Sequence, residues 1–144
     1  MKKVIFLIPL FFIHCSSPAQ EAQKLPLDEV DQQQQNLVLK LADETLSRWN
    51  KEDFSEFSSD ISTPEFKKQF STSVQKNAWQ QISGMFGQYK AVKLEQVYEL
   101  GNQQLKIYRL KGSFDKGNPE VRMVLNQNDQ LAGMFIKPWQ DNLN

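Results

Sequence analysis

The sequence predicts an α+β domain in which N-terminal helices pack on a four-stranded antiparallel sheet. Three observations lead there. Between Asp28 and Phe86 the apolar residues recur at three- and four-residue steps, the period of a helix with one buried face. After Gln88 the period falls to two, and short apolar runs are divided by Gly, Asn and Asp, as in strands joined by tight turns. Helical signals grouped before strand signals, rather than alternating with them, put the helices on one side of the sheet.

The chain opens with Lys2 and Lys3, an apolar run from Val4 to Ile13, and the small polar stretch Ser16-Ser17-Pro18-Ala19. That is the layout of a removable signal peptide. The run is about ten residues against the roughly 20 that a bilayer-crossing helix needs, and Pro9 interrupts it, so residues 1–14 read as a signal peptide. Cys15, the only cysteine, stands where the run ends. It resembles the acylated first residue of a bacterial lipoprotein, although His14 precedes it where such signals carry a small residue. The competing route is secretory cleavage after Ala19, since Ser17 and Ala19 supply a small-x-small pattern. The expected location is the cell envelope, lipid-anchored through Cys15, or the periplasm or exterior if cleavage follows Ala19.

Residues 15–27 carry little apolar periodicity and read as a flexible tether, residues 28–140 as one domain, and 141–144 as a tail. From Asp28 to Asn50, Val30, Leu37, Val38, Leu41, Leu46 and Trp49 define an amphipathic helix, with Gln32 to Gln35 on its solvated first turns. Ser62-Thr63-Pro64-Glu65 supplies a capping hydroxyl, a first-turn proline and an acidic residue, which start a second helix. Phe66, Phe70 and Val74 give that helix its buried edge, and Phe54 and Phe57 join the same core. A third helix runs from Val74 to Phe86, with Ala78, Trp79, Ile82 and Met85 on one side and Gly84 and Gly87 ending it. Strands follow at Val92 to Leu100, Leu105 to Phe114, Val121 to Asn126 and Leu131 to Ile136.

Charge narrows the function. Lys and Arg total 17, Asp and Glu also 17, and removal of residues 1–14 takes away Lys2, Lys3 and the only histidine. No run of cations remains to neutralise phosphates, from which nucleic-acid affinity chiefly comes, so no nucleic-acid partner is expected. Without histidine, and with one cysteine at the tether, the mature chain lacks the ligands of a zinc site and the base that serine or cysteine nucleophiles use. No metal and no cofactor are expected.

Trp79, Gly87-Gln88-Tyr89-Lys90 and the closing stretch from Asn128 to Pro138, with its Leu131-Ala132-Gly133-Met134-Phe135-Ile136-Lys137 strand, resemble the domain family DUF3887 over about residues 35–139. The resemblance implies an NTF2-like cone, a curved sheet wrapped around helices with a cavity inside. It carries no catalytic set. Such modules occur alone in exported proteins and also ahead of hydrolase domains, so with Asn144 close behind the last strand any enzyme it assists is expected on a separate chain. The expected function is a non-enzymatic module binding an apolar small molecule or another envelope protein.

Within a cone of that kind, Tyr98, Tyr108 and Trp139 are the candidate cavity or ligand residues. A carboxylate base with a tyrosine donor, as in isomerases or dehydratases, is the enzymatic alternative and involves Glu95, Tyr98 and Tyr108. Strand alternation points Glu95 away from Tyr98. Arg109 and Arg122 lie on neighbouring strands, either cradling an anion or pairing across the sheet with Glu95, Glu99 or Glu120. The second and fourth strands are apolar on both faces, and helices cover only one. Ile107 and Phe135 are therefore the candidate interface to a second copy or an envelope protein, unless the Trp139 segment folds over them. A purely structural dimerisation domain is the third reading.

Overall fold

In the computed structural model, which describes residues 22–143, three helices lie on one face of a single antiparallel sheet. The elements are β1 (Gln23–Leu25), α1 (Gln32–Asn50), α2 (Pro64–Gln69), α3 (Thr72–Phe86), β2 (Tyr89–Leu100), β3 (Leu105–Phe114), β4 (Glu120–Leu125) and β5 (Leu131–Lys137). The strands form a meander in the order β1-β2-β3-β4-β5. The sheet thus has five strands where the sequence predicts four. Residues 1–14, Cys15 and Ala19 lie outside the described residues.

The extra strand falls in the stretch read as tether. Lys24 pairs with Tyr98 and Leu25 with Val97, Leu25 packs against the core, and Gln35 Nε2 donates to the Leu27 and Val30 carbonyls, fixing the turn into α1. A three-residue strand with one apolar side chain is too short to show a period, so nothing local marks it.

The second helix starts where its capping signal falls, whereas α1 begins at Gln32 rather than Asp28 and α3 at Thr72 rather than Val74. Asp31 caps α1 by accepting from the Gln33 and Gln34 amides, Thr63 caps α2 ahead of Pro64, and Ser71 caps α3. Such caps satisfy amides that no helical carbonyl can reach. Gly84 stays inside α3, and Gly87 ends it at φ 77°. A β-carbon on Gly87 would meet Asp115 Cβ at 2.6 Å, so both backbone and space require glycine there. The buried stripe of α3 is Gln75, Trp79 and Ile82. Val74 and Met85, expected on the buried side, are 40 % and 55 % exposed, because one residue's rotation about the helix turns a side chain by about 100°.

Cross-strand register sorts the sheet residues into two faces. Val97, Tyr108, Met123 and Met134 form one inner row, and Leu94, Leu110, Val121 and Ile136 another. These rows meet α1 and α3 in a contiguous buried cluster. Trp49 and Trp79 stand 6.0 Å apart between ring centroids, and Phe114 links Trp79 at 6.5 Å to Tyr89 at 5.5 Å. The space between helices and sheet is occupied by side chains.

One polar residue belongs to this interior. Gln75 is fully buried; its Oε1 accepts from Trp49 Nε1 at 3.1 Å, and its Nε2 donates to the carbonyls of Ser55 and Phe70 at 2.9 and 3.0 Å. It thereby ties α1, the connection before α2, and α3 together. Leaving buried donors and acceptors unmet costs about 1–3 kcal/mol for each group. Gln75→Ala is therefore expected to lower unfolding free energy in urea by about 3 kcal/mol, whereas Ala at the exposed Gln80 should change it by less than about 0.5 kcal/mol.

Candidate functional site on two faces of the sheet

The residues singled out from the sequence separate onto opposite faces. Tyr108 lies on the inner face, fully buried, at the end of the sheet nearest the start of α1. Its hydroxyl donates to Gln34 Oε1 at 3.1 Å, as does Lys106 Nζ at 3.0 Å, while Gln34 Nε2 donates to Asp129 Oδ1 at 2.7 Å. Around this network is a polar cleft of about 310 Å³, where Glu99, Lys106, Tyr108, Asn126 and Asp129 contribute to the wall. Gln34 and Asp129 also border a smaller cleft of about 180 Å³ beside Asp31. Burial first, and then the charges of Asp129 and Asp31, raise the Tyr108 hydroxyl far above its ordinary value. It stays a protonated donor, committed to Gln34.

Tyr98 and Trp139 stand on the outer face, where they belong to one network. The Tyr98 hydroxyl donates to Gln96 Oε1 at 3.3 Å, and Arg109 Nη1 donates to the same oxygen at 2.5 Å. Trp139 covers the Arg109 guanidinium at 4.6 Å from its ring centroid. Glu95 does not join Tyr98. A bulge sets Leu94 opposite Leu110 and Gln96 opposite Arg109, leaving Glu95 without a cross-strand partner, and its carboxylate lies 3.6 Å from Lys93 Nζ. Simple alternation, on which the sequence-based placement of Glu95 rests, breaks at that bulge.

Arg109 and Glu120 are wholly buried on this outer face. Arg109 Nε donates to Glu120 Oε1 at 2.8 Å, Arg109 Nη2 reaches the same oxygen at 2.5 Å, and Arg122 Nε donates to Glu120 Oε2 at 2.5 Å. The remaining Arg109 donors meet the carbonyls of Gln140 and Asp141. Of the acidic partners open from the sequence, Glu120 is the one chosen, and it serves both arginines. Burial alone would raise the Glu120 carboxyl, but the hydrogen bonds from Arg109 and then Arg122 outweigh it and hold the group below its ordinary value of 4.5.

The segment after β5 folds back over the outer face, as one of the two sequence-based alternatives has it. Ile107 is only 8 % exposed, so this chain covers it. Phe135 is half-buried; a β-carbon on Gly133 would stand 3.0 Å from the Phe135 ring, which therefore lies close over the glycine. Neither residue stands out from the surface as a free apolar knob. The Gln140 and Asp141 carbonyls that complete the Arg109 site carry no side-chain signal, so the sequence could not have named them.

Among the described residues no cluster of three or more His, Cys, Asp or Glu is placed to hold a metal, and no helix is long and apolar enough to cross a membrane. Fold and site define an α+β domain with a filled interior, a polar cleft at one end and a buried ion cluster behind the sheet. A family model for a protein of unknown function, DUF3887, matches residues 42–134, more than half of the chain, and the protein belongs to that family. No curated protein and no solved structure matches it.

The ion cluster gives stability a defined pH dependence. A carboxyl depressed in the folded state stabilises above its unfolded pKa, and that contribution disappears as pH falls through the folded value. Glu120→Gln should be less stable than wild type at pH 7, with the gap closing as pH drops below about 4.5. Glu120→Ala, which strands two guanidiniums, should cost about 3–5 kcal/mol at neutral pH. Thermal midpoints measured from pH 7 to pH 3 check both; a gap independent of pH would remove Glu120 from the linkage.

Proposed function

We propose that this protein is a non-enzymatic interaction module of the cell envelope, held by lipid on Cys15, that binds another envelope protein through its surface. The filling of the space between helices and sheet carries this reading. A carrier of an apolar small molecule needs an open apolar cavity, and an isomerase-like enzyme needs an ionisable group facing one. Here Trp49, Trp79, Tyr108, Leu110 and Phe114 belong to one buried cluster across that space, while the clefts around Gln34 are walled largely by polar side chains. The architecture fits an NTF2-like cone whose interior has closed on itself. Tyr98 and Tyr108 on opposite faces, with Glu95 paired to Lys93, keep Glu95 apart from both tyrosines.

A filled interior also suits a structural dimerisation domain, and Phe135 on the outer face is the residue through which that version would act. Native mass spectrometry of the protein purified from its own envelope separates these readings. The expected species is a chain beginning at an acylated Cys15, with no stoichiometric small molecule. A mature start at Gln20 would end the lipid anchor, and a bound apolar ligand at one per chain would end the filled-interior reading. A homodimer lost on Phe135→Lys would select the dimerisation version.

A further inference from the structure

Cations are gathered on the outer face of the sheet. Register places Lys93, Lys111, Glu120 and Lys137 in one row across four strands, and Gln96, Arg109, Arg122 and Phe135 in the next. Lys24 on β1 pairs with Tyr98 in the neighbouring row of the same face. Like charges therefore stand directly opposite each other twice, at Lys93 with Lys111 and at Arg109 with Arg122. Such pairs oppose sheet formation. Glu120 resolves the arginine pair from beneath, but it does not lie between the two lysines.

Among the described residues, the carboxylates on this side are Glu120, Glu95 beside Lys93, and Asp141 beside the Trp139 indole at 3.3 Å. Arg109 and Glu120 are wholly buried and pair with each other, so among the described residues the charge this face presents to solvent comes chiefly from the exposed Lys24, Lys93 and Lys111. Glu120 is buried, so its charge is spent on the arginines, whereas the Lys93 side chain is 80 % exposed and Lys111 is exposed. Trp139, with Lys111 Nζ 5.5 Å from its ring, sets an amphipathic indole among them, the residue type suited to a boundary between apolar and aqueous phases.

We propose that this face docks on an anionic phospholipid surface. The exposed lysines lie on three strands, beside the tail that covers Arg109 and outside both clefts, so they suit a plane of charge better than a ligand that must be enclosed. The length of chain before the sheet agrees, and this one step rests on the Cys15 reading. With β1 beginning at Gln23, the link from Cys15 is eight residues, at most about 28 Å when fully extended. A domain held that close spends its time within a few Debye lengths of the bilayer, each about 8–10 Å at physiological salt. Docking by the outer face leaves the helical side, with Val74 and Met85 exposed, turned away from the lipid and open to a protein partner.

Each lysine near an anionic surface raises partitioning about five-fold. Full-length purified protein should therefore sediment with phosphatidylglycerol-containing vesicles in strong preference to phosphatidylcholine vesicles. Lys93→Glu with Lys111→Glu should cut that preference by about 25-fold or more, and 1 M salt should abolish it in the wild type, since the Debye length falls to about 3 Å. Both lysines are exposed, so an unchanged circular dichroism spectrum and thermal midpoint keep folding out of the comparison, and Lys93→Arg with Lys111→Arg should keep the preference. The anchor acts alike on both vesicle types, so their ratio reads the face, while release by Cys15→Ala reads the anchor. Equal binding to the two vesicles, or a preference unaffected by the double glutamate variant, would overturn the proposal. Salt-sensitive binding to polyglutamate without any vesicle preference would overturn it too, in favour of an acidic protein segment.

Discussion

An antiparallel sheet packed on helices by one face must still cover the other, and in this protein a buried carboxylate between two arginines does so. Glu120 joins Arg109 on β3 to Arg122 on β4, and Arg109 goes on to bind Gln96 on β2 and the backbone of Gln140 and Asp141 beyond β5. One guanidinium thus gathers three strands and the tail. A buried ion pair is a weak source of net stability, because desolvation offsets most of the attraction. Its geometric demands are strict, however. A slip of one residue along β3 would carry Arg109 to the inner face, away from Glu120, and turn Tyr108 and Leu110 out of the core, so the cluster opposes wrong registers more than it strengthens the right one.

The inner face solves its problem by apolar packing, with Gln75 as the exception. Because Gln75 satisfies Trp49 and two backbone carbonyls, the indole can sit in the centre of the core without an unmet donor. That arrangement fills the region where a cone-shaped fold would keep a ligand. What differs in chemistry are the surfaces outside it: polar and hydrogen-bonded around Gln34 at one end, with exposed lysines behind the sheet.

The bulge at Glu95 connects these two outcomes. By inserting one residue into β2 it turns Gln96 toward Arg109 while Val97 continues the inner row opposite Tyr108. Without it, the residues beyond Leu94 would exchange faces, Tyr98 would turn into the core and Val97 out of it. The same insertion bends the strand, which suits a long β2 that must follow the helices along one half and pair with β1 along the other.

Much was legible in the sequence because it depends on local physics. The capping hydroxyl and proline at Thr63-Pro64 and the change of apolar period after Gln88 act within a few positions of themselves, so the start of α2, the presence of three helices and four of the five strands could be read directly, while the caps Asp31 and Ser71 stand outside that reading. The pairing of Arg109 and Arg122 with an acid across the sheet was legible as chemistry, since charges on adjacent strands need partners. Three features were not. The strand at Gln23–Leu25 exists only because β2 offers an edge; the bulge at Glu95 is a matter of registration between strands; and the acceptors completing the Arg109 site are backbone carbonyls, which every residue possesses. Local propensity set what each segment would become, whereas which face a side chain occupies, and whether its neighbours leave room for a ligand, was decided only when the strands met.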